Sequence, residues 1–72
     1  MKTQLNPFVF EDFNTLHAAC KAHRMVTLFE PTQPSRRVFS LRLAGPDIRA
    51  LVEHEGGNYW QDLNRKARLI IN

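Results

Sequence analysis

Between residues 37 and 43 the chain reads Arg-Val-Phe-Ser-Leu-Arg-Leu. Phe39, Leu41 and Leu43 alternate there with Val38, Ser40 and Arg42, the two-residue period of a half-buried strand. The stretch has hard boundaries. Before it, Pro31-Thr32-Gln33-Pro34-Ser35 places two prolines in five residues, which removes backbone donors and imposes a loop. After it comes the break Ala44-Gly45-Pro46. Upstream of the loop, Met25-Val26-Thr27-Leu28-Phe29-Glu30 is β-rich and too short for a helix. Two such runs joined by a short loop predict an antiparallel hairpin over residues 25–30 and 37–43.

The flanks read differently. Residues 1–7 form a loose lead-in ended by Pro7, and Phe8-Val9-Phe10 is a brief edge strand or the docking segment of a helix. Glu11 and Asp12 supply the acidic residues that a helix N-terminus favours, and Phe13, Leu16, Ala19, Cys20 and His23 then share a broad helical face. A helix is predicted from Phe13 to about Arg24. On the far side of the central strand, Pro46 suits a first helical position, and Ile48, Leu51 and Val52 form a stripe that Gly56 or Gly57 ends. Asn58 and Gln61 resemble a capping box, and Tyr59, Trp60, Leu63, Ala67, Ile70 and Ile71 recur at helical spacing. Leu69–Asn72 also reads as a terminal strand. The expected fold is therefore α+β in a single small domain over residues 1–72. It comprises an N-terminal helix, a β-hairpin and two short helices over 46–55 and 59–70.

Size limits what this chain can do alone. Seventy-two residues barely bury enough surface to offset chain entropy, and Cys20, the only cysteine, excludes an internal disulfide or a multi-cysteine zinc site. Dimerisation is one way to complete such a core. No apolar run follows Lys2 as in a signal peptide, and no stretch is long enough to span a bilayer, so a cytoplasmic protein without membrane contact is expected.

Charge is unevenly spread. Lys2, Lys21 and Arg24 balance Glu11, Asp12 and Glu30. From Arg36 onward, Arg36, Arg37, Arg42, Arg49, Arg65, Lys66 and Arg68 outnumber Asp47, Glu53, Glu55 and Asp62, so the whole net charge of +3 arises in the second half. This asymmetry points to an acidic partner such as nucleic acid.

Catalytic chemistry finds little support. His17, Cys20 and His23 have the look of a metal site, but the two histidines lie about 120° apart around a helix. Gly56-Gly57 matches no nucleotide-binding loop, and Glu53 and Glu55 do not share a helical face. The expectation is no enzyme, no catalytic residues, no metal and no cofactor.

One larger pattern stands out. The strand Phe39-Ser40-Leu41-Arg42-Leu43, the start at Pro46-Asp47, the stripe Ile48-Leu51-Val52, the turn Gly56-Gly57-Asn58 and the following Leu63 and Ala67 resemble the ribbon-helix-helix DNA-binding motif, over Val38 to Ile71. The resemblance implies a homodimer whose paired strands enter the major groove of double-stranded DNA above two helices per chain. Val38, Ser40 and Arg42 would then face the bases, and Phe39, Leu41 and Leu43 the core. Arg42 would read guanine and Ser40 either base type, with Arg37 on phosphate. Backbone donors around Gly57, Asn58 and Tyr59 would hold phosphate at a helix start.

The functional expectation is a small basic non-enzymatic binding module acting as a dimeric DNA-binding regulator of transcription. The alternative is a small inhibitor or adaptor that meets a protein target through its hairpin or the loop Pro31–Arg37.

Overall fold

The structure, a computed structural model, describes residues 3–72. Seven elements follow in order: β1 (Gln4–Leu5), α1 (Phe10–Lys21), β2 (Val26–Phe29), β3 (Arg36–Ala44), β4 (Asp47–His54), β5 (Gly57–Asp62) and β6 (Arg68–Ile71). All six strands join one antiparallel sheet in the order β1-β6-β2-β3-β4-β5. The chain thus meanders from β2 to β5, and β6 returns to pair with β2.

This corrects the expected α+β arrangement. Residues 46–55 and 59–70 are not helices. The segment from Ile48 to Val52 fits a helical stripe, but Ile48, Ala50 and Val52 fit a two-residue period equally well. As a strand, the segment gains backbone ladders on both sides, whereas an isolated helix of that length is marginal. Gly45-Pro46, read as a break before a helix, is a two-residue hairpin turn that pairs Ala44 with Asp47. Gly45 takes φ +64 there, and Pro46 supplies the fixed negative φ that a type II′ turn needs next. The second glycine punctuation is also a hairpin, with Gly56 at φ +82 and His54 opposite Gly57. Asn58 and Gln61, expected to cap a helix, lie in β5 opposite Glu53 and Ala50.

The remaining expectations shift as well. The hairpin of residues 25–30 and 37–43 lies inside the larger sheet, with β2 between β6 and β3. The lead-in includes Gln4 and Leu5, which pair with Ile70 and Leu69; Met1 and Lys2 lie outside the described residues. The helix starts earlier than expected, at Phe10. Asn6 organises that start, since its Oδ1 accepts from Phe8 N at 3.0 Å and its own N–H donates to Asp12 Oδ2 at 2.9 Å. At the other end Arg24 N donates to Ala19 O and His23 N to Cys20 O, a Schellman closure with His23 at φ +60.

The sheet is strongly curled. In a flat sheet β2 and β5 would lie three strand spacings apart, about 14 Å. Yet Glu30, just after β2, accepts from Gln61 Nε2 of β5 at 2.9 Å. The concave face is the core: Val26, Leu28, Val38, Leu41, Ile48, Ala50, Val52 and Leu69, sealed by Leu16, Ala19 and Cys20 of α1 and by Leu63 and Ala67.

A β-bulge in β3 sets which residues point inward. Val38 opposes Val52, but the next paired residue is Ser40, opposite Leu51, so Phe39 is the extra residue. The bulge shifts the alternation by one. Val38 and Leu41 both face the core at 1 % exposure, and Leu43, expected inside, is 66 % exposed. Leu41→Ala should therefore lower unfolding free energy by about 2–5 kcal/mol, and Leu43→Ala by less than about 0.5 kcal/mol. Urea unfolding of the two variants checks where along the strand the core ends, since Leu43 lies on the same face as Leu41 opposite Ile48, and equal losses would contradict it.

Candidate functional site

Directly opposed residues of neighbouring antiparallel strands share a face, so the register defines the convex surface. Arg42 of β3 opposes Arg49 of β4, which opposes Asp62 of β5. Ser40, Leu51 and Trp60 form the next row across the same strands. Arg37 opposes Thr27, and Arg68 opposes Phe29. These positions are half-buried or exposed, in contrast with the sealed inner face. Among the described residues the convex face thus carries four arginines, Arg37, Arg42, Arg49 and Arg68, against the carboxylates of Glu53 and Asp62.

Two of the arginines are held over aromatic rings. The Arg42 guanidinium reaches across β4 to lie 4.3 Å from the centroid of Trp60, and Arg37 lies 4.8 Å from that of Phe39. Arg42 and Arg49 face one another directly, a like-charge pairing that costs energy. Asp62 offsets it on one side, with Oδ1 3.2 Å from Arg49 Nε, and the indole face offsets it on the other. Arg42 itself makes no hydrogen bond or ion pair with any described residue. Its five N–H donors are unspent.

Beyond the convex face, Glu30 fastens the end of β2 to the β5 edge of the sheet. Its side chain, 8 % exposed, accepts from Arg36 Nη2 at 3.3 Å, Gln61 Nε2 at 2.9 Å and the backbone N–H of Asn64 at 3.1 Å. Arg36 Nη1 also donates to the Tyr59 hydroxyl at 2.7 Å. A separate apolar groove of about 250 Å³ lies where α1 begins, between Phe10, Phe13, Leu43 and Pro46. Arg65 sits over the Phe8 ring there at 4.4 Å.

The seven residues singled out from sequence fall in three places. Arg37, Ser40 and Arg42 lie together on the convex face. Val38, expected to face bases, is in the core. Gly57, Asn58 and Tyr59 belong to a strand, not to a helix start, so no ring of free helical N–H groups exists there to hold phosphate. Tyr59 opposes Val52, on the other face from Trp60, and its hydroxyl is engaged by Arg36. The sequence reading missed Trp60, Arg49 and Arg68 as companions of Arg42. The period of Ile48, Ala50 and Val52 was the signal that placed β4, and with it β5, beside Arg42.

Comparison with protein-family models, with curated protein sequences and with solved structures gives no match.

Titratable side chains add little reactive chemistry. Cys20 is 7 % exposed, and burial raises its thiol pKa, which suppresses the nucleophilic thiolate. His17 stacks on Phe13 with 5.8 Å between ring centroids, and His23 closes the helix. No three His, Cys, Asp or Glu side chains among the described residues are grouped to hold a metal ion. No helix is long and apolar enough to cross a membrane.

The Glu30 clasp gives a direct test of the closure that shapes the convex face. Glu30→Ala leaves Arg36, Gln61 Nε2 and Asn64 N without their acceptor, and the fold should lose about 2–3 kcal/mol. Thermal unfolding measures it, and a loss no larger than that of an exposed surface substitution would show that the curl is held elsewhere.

Proposed function

We propose that this protein is a non-enzymatic binding module that takes nucleic acid on the convex face of its sheet. The observation that carries this reading is Arg42, held over the Trp60 ring at 4.3 Å with all its donors free and with Arg37 and Arg68 on the same face. None of these three arginines has a carboxylate partner among the described residues. Such a surface matches a polyanion with planar bases: the guanidinium edges suit phosphate oxygens, and the aromatic and guanidinium planes suit bases. The net charge of +3 is modest, so affinity should be low and strongly dependent on salt.

The mode differs from the ribbon-helix-helix arrangement, which needs two helices after the strand and a β3 free to pair across a dimer axis. Here β3 already has β2 on one side and β4 on the other. Base contact by Val38 and phosphate contact at a helix start are both excluded by the fold.

Three phosphate contacts predict that log Kobs falls against log salt with a slope of about −2 to −3. Arg42→Glu should weaken binding of a labelled oligonucleotide by about tenfold or more and make the slope shallower by about one. It should cost the fold only about 1 kcal/mol or less, because one cation–π contact is lost at an exposed residue. Fluorescence anisotropy across a salt series checks this, and an unchanged slope would remove Arg42 from the interface.

A second reading has its own observation. The outer edge of β5, Gly57–Asp62, pairs with no other strand among the described residues, and the backbone groups on that edge are a template for strand addition by a protein target or a second copy. Amide exchange at Tyr59–Asp62 that slows between micromolar and millimolar protein would identify the second copy as that partner. Exchange independent of concentration would remove it.

A further inference from the structure

We propose that the convex face binds a single strand in preference to a duplex, with an unpaired base stacked on the outer plane of the Arg42 guanidinium above Trp60. This deepens the nucleic-acid reading and rests on it.

The first argument is width. A two-stranded ribbon fits the major groove, which is about 12 Å wide. β3 and β4 are not such a ribbon, because β2 and β5 flank them. Followed along its curved surface, the sheet covers about 14 Å between the axes of β2 and β5 before side chains are added. The sheet is also convex toward the ligand, since it closes on itself at Glu30. A duplex laid on this face would present phosphates, while its base edges stayed beyond the reach of Ser40 and Arg42.

The second argument is the state of Arg42. Its Cζ lies over the indole, 4.3 Å from the ring centroid, and the residue is exposed. Arginine planes and aromatic rings are surfaces on which unpaired bases stack. The layer Trp60–Arg42 therefore offers a base a flat, pre-ordered seat. The guanidinium edge remains free for the neighbouring phosphate, so one side chain meets both parts of a nucleotide.

The third argument is repetition along the strand. Arg37 on Phe39 is a second stack of the same composition on β3. At about 3.4 Å per residue, Arg37 and Arg42 are separated by roughly 17 Å of strand. That is the length of about five stacked nucleotides at 3.4 Å each. Leu51 and Ser40 occupy the surface between the stacks and carry no charge to repel a strand crossing it.

Trp60 is the only tryptophan in the chain, so the seat reports on itself. The test titrates the intact protein at low salt with a mixed-sequence oligonucleotide of about ten nucleotides, long enough to cover both stacks. A second titration uses the same oligonucleotide annealed to its complement. Trp60 emission and anisotropy are followed together. The expected result is tighter binding of the single strand with a change in Trp60 emission. Arg42→Lys, which keeps the charge and loses the plane, should weaken single-strand binding by roughly five- to a hundredfold. Duplex binding should change much less. Duplex bound as tightly as single strand with Trp60 emission unchanged would overturn the stacking inference and leave the nucleic-acid reading standing. Arg42→Lys with undiminished single-strand affinity would overturn it likewise. If neither form binds at low salt, both readings fall.

Discussion

A sheet of six short strands with one twelve-residue helix can hide its apolar face only by curling over it, and the Glu30 carboxylate is where the curl is fastened. One side chain after β2 receives donors from β3, β5 and the turn that follows β5. Without that convergence the strand ends would splay, and the inner row from Val26 to Val52 would meet water. Hydrogen bonds to a charged acceptor are among the stronger ones available to a protein. A chain with no disulfide and a core of this size depends on a few such points. The consequence for binding is geometric. Closing the concave side forces the opposite side to be convex, and everything on that side is held apart from the core by the thickness of a single sheet.

The bulge at Phe39 decides what that convex side carries. With an uninterrupted alternation in β3, Val38, Ser40 and Arg42 would share one face, and Phe39, Leu41 and Leu43 the other. The extra residue instead places Val38 and Leu41 inside together. Phe39 is left beside Arg37, while Leu43 stays on the face of Leu41, opposite Ile48, and borders the apolar groove at the start of α1. A single inserted residue thereby satisfies two demands that one period cannot. The N-terminal half of β3 presents Val38 to the core opposite Val52, and the C-terminal half presents Leu41 opposite Ala50. Arg42 still points outward, within reach of Trp60.

Much of this was legible locally and little of it globally. The β-rich run before Pro31 and the alternation after Pro34 marked the segments that became β2 and β3, because side-chain period and proline placement are local quantities. The two later strands were not marked in the same way. Ile48, Leu51 and Val52 satisfy a helical period, and Ile48, Ala50 and Val52 satisfy a strand period. Gly45-Pro46 suits the start of a helix as well as the tip of a hairpin. Such ambiguities are settled by pairing with the neighbouring strands β3 and β5, which the period of the segment by itself does not contain. The candidate site followed the same division. Ser40 and Arg42 were visible from the alternation of β3 alone, whereas strict alternation puts Arg37 on the opposite face and only the bulge brings it beside them. Trp60, Arg49 and Arg68 join them only through registers that depend on the whole sheet. The bulge that moved Val38 inward leaves no mark in residue type.

The surface that results is unusual less for its charge than for how the charge is held. An exposed arginine on a strand ordinarily samples many rotamers, and ordering it on a ligand costs about 1.5–2 kcal/mol of side-chain entropy. Arg42 has already lost part of that freedom to Trp60, and the stack that restrains it consumes none of its hydrogen-bond donors. Arg49, one strand over, shows the contrast: Asp62 restrains it and neutralises it together. The two residues oppose each other in the ladder, yet only one is left with an unsatisfied electrostatic demand. A restrained cation with free donors and an open plane is a better receptor for a nucleotide than several mobile lysines would be. The restraint on Arg42, more than the net charge of +3, therefore sets what this face offers an anion.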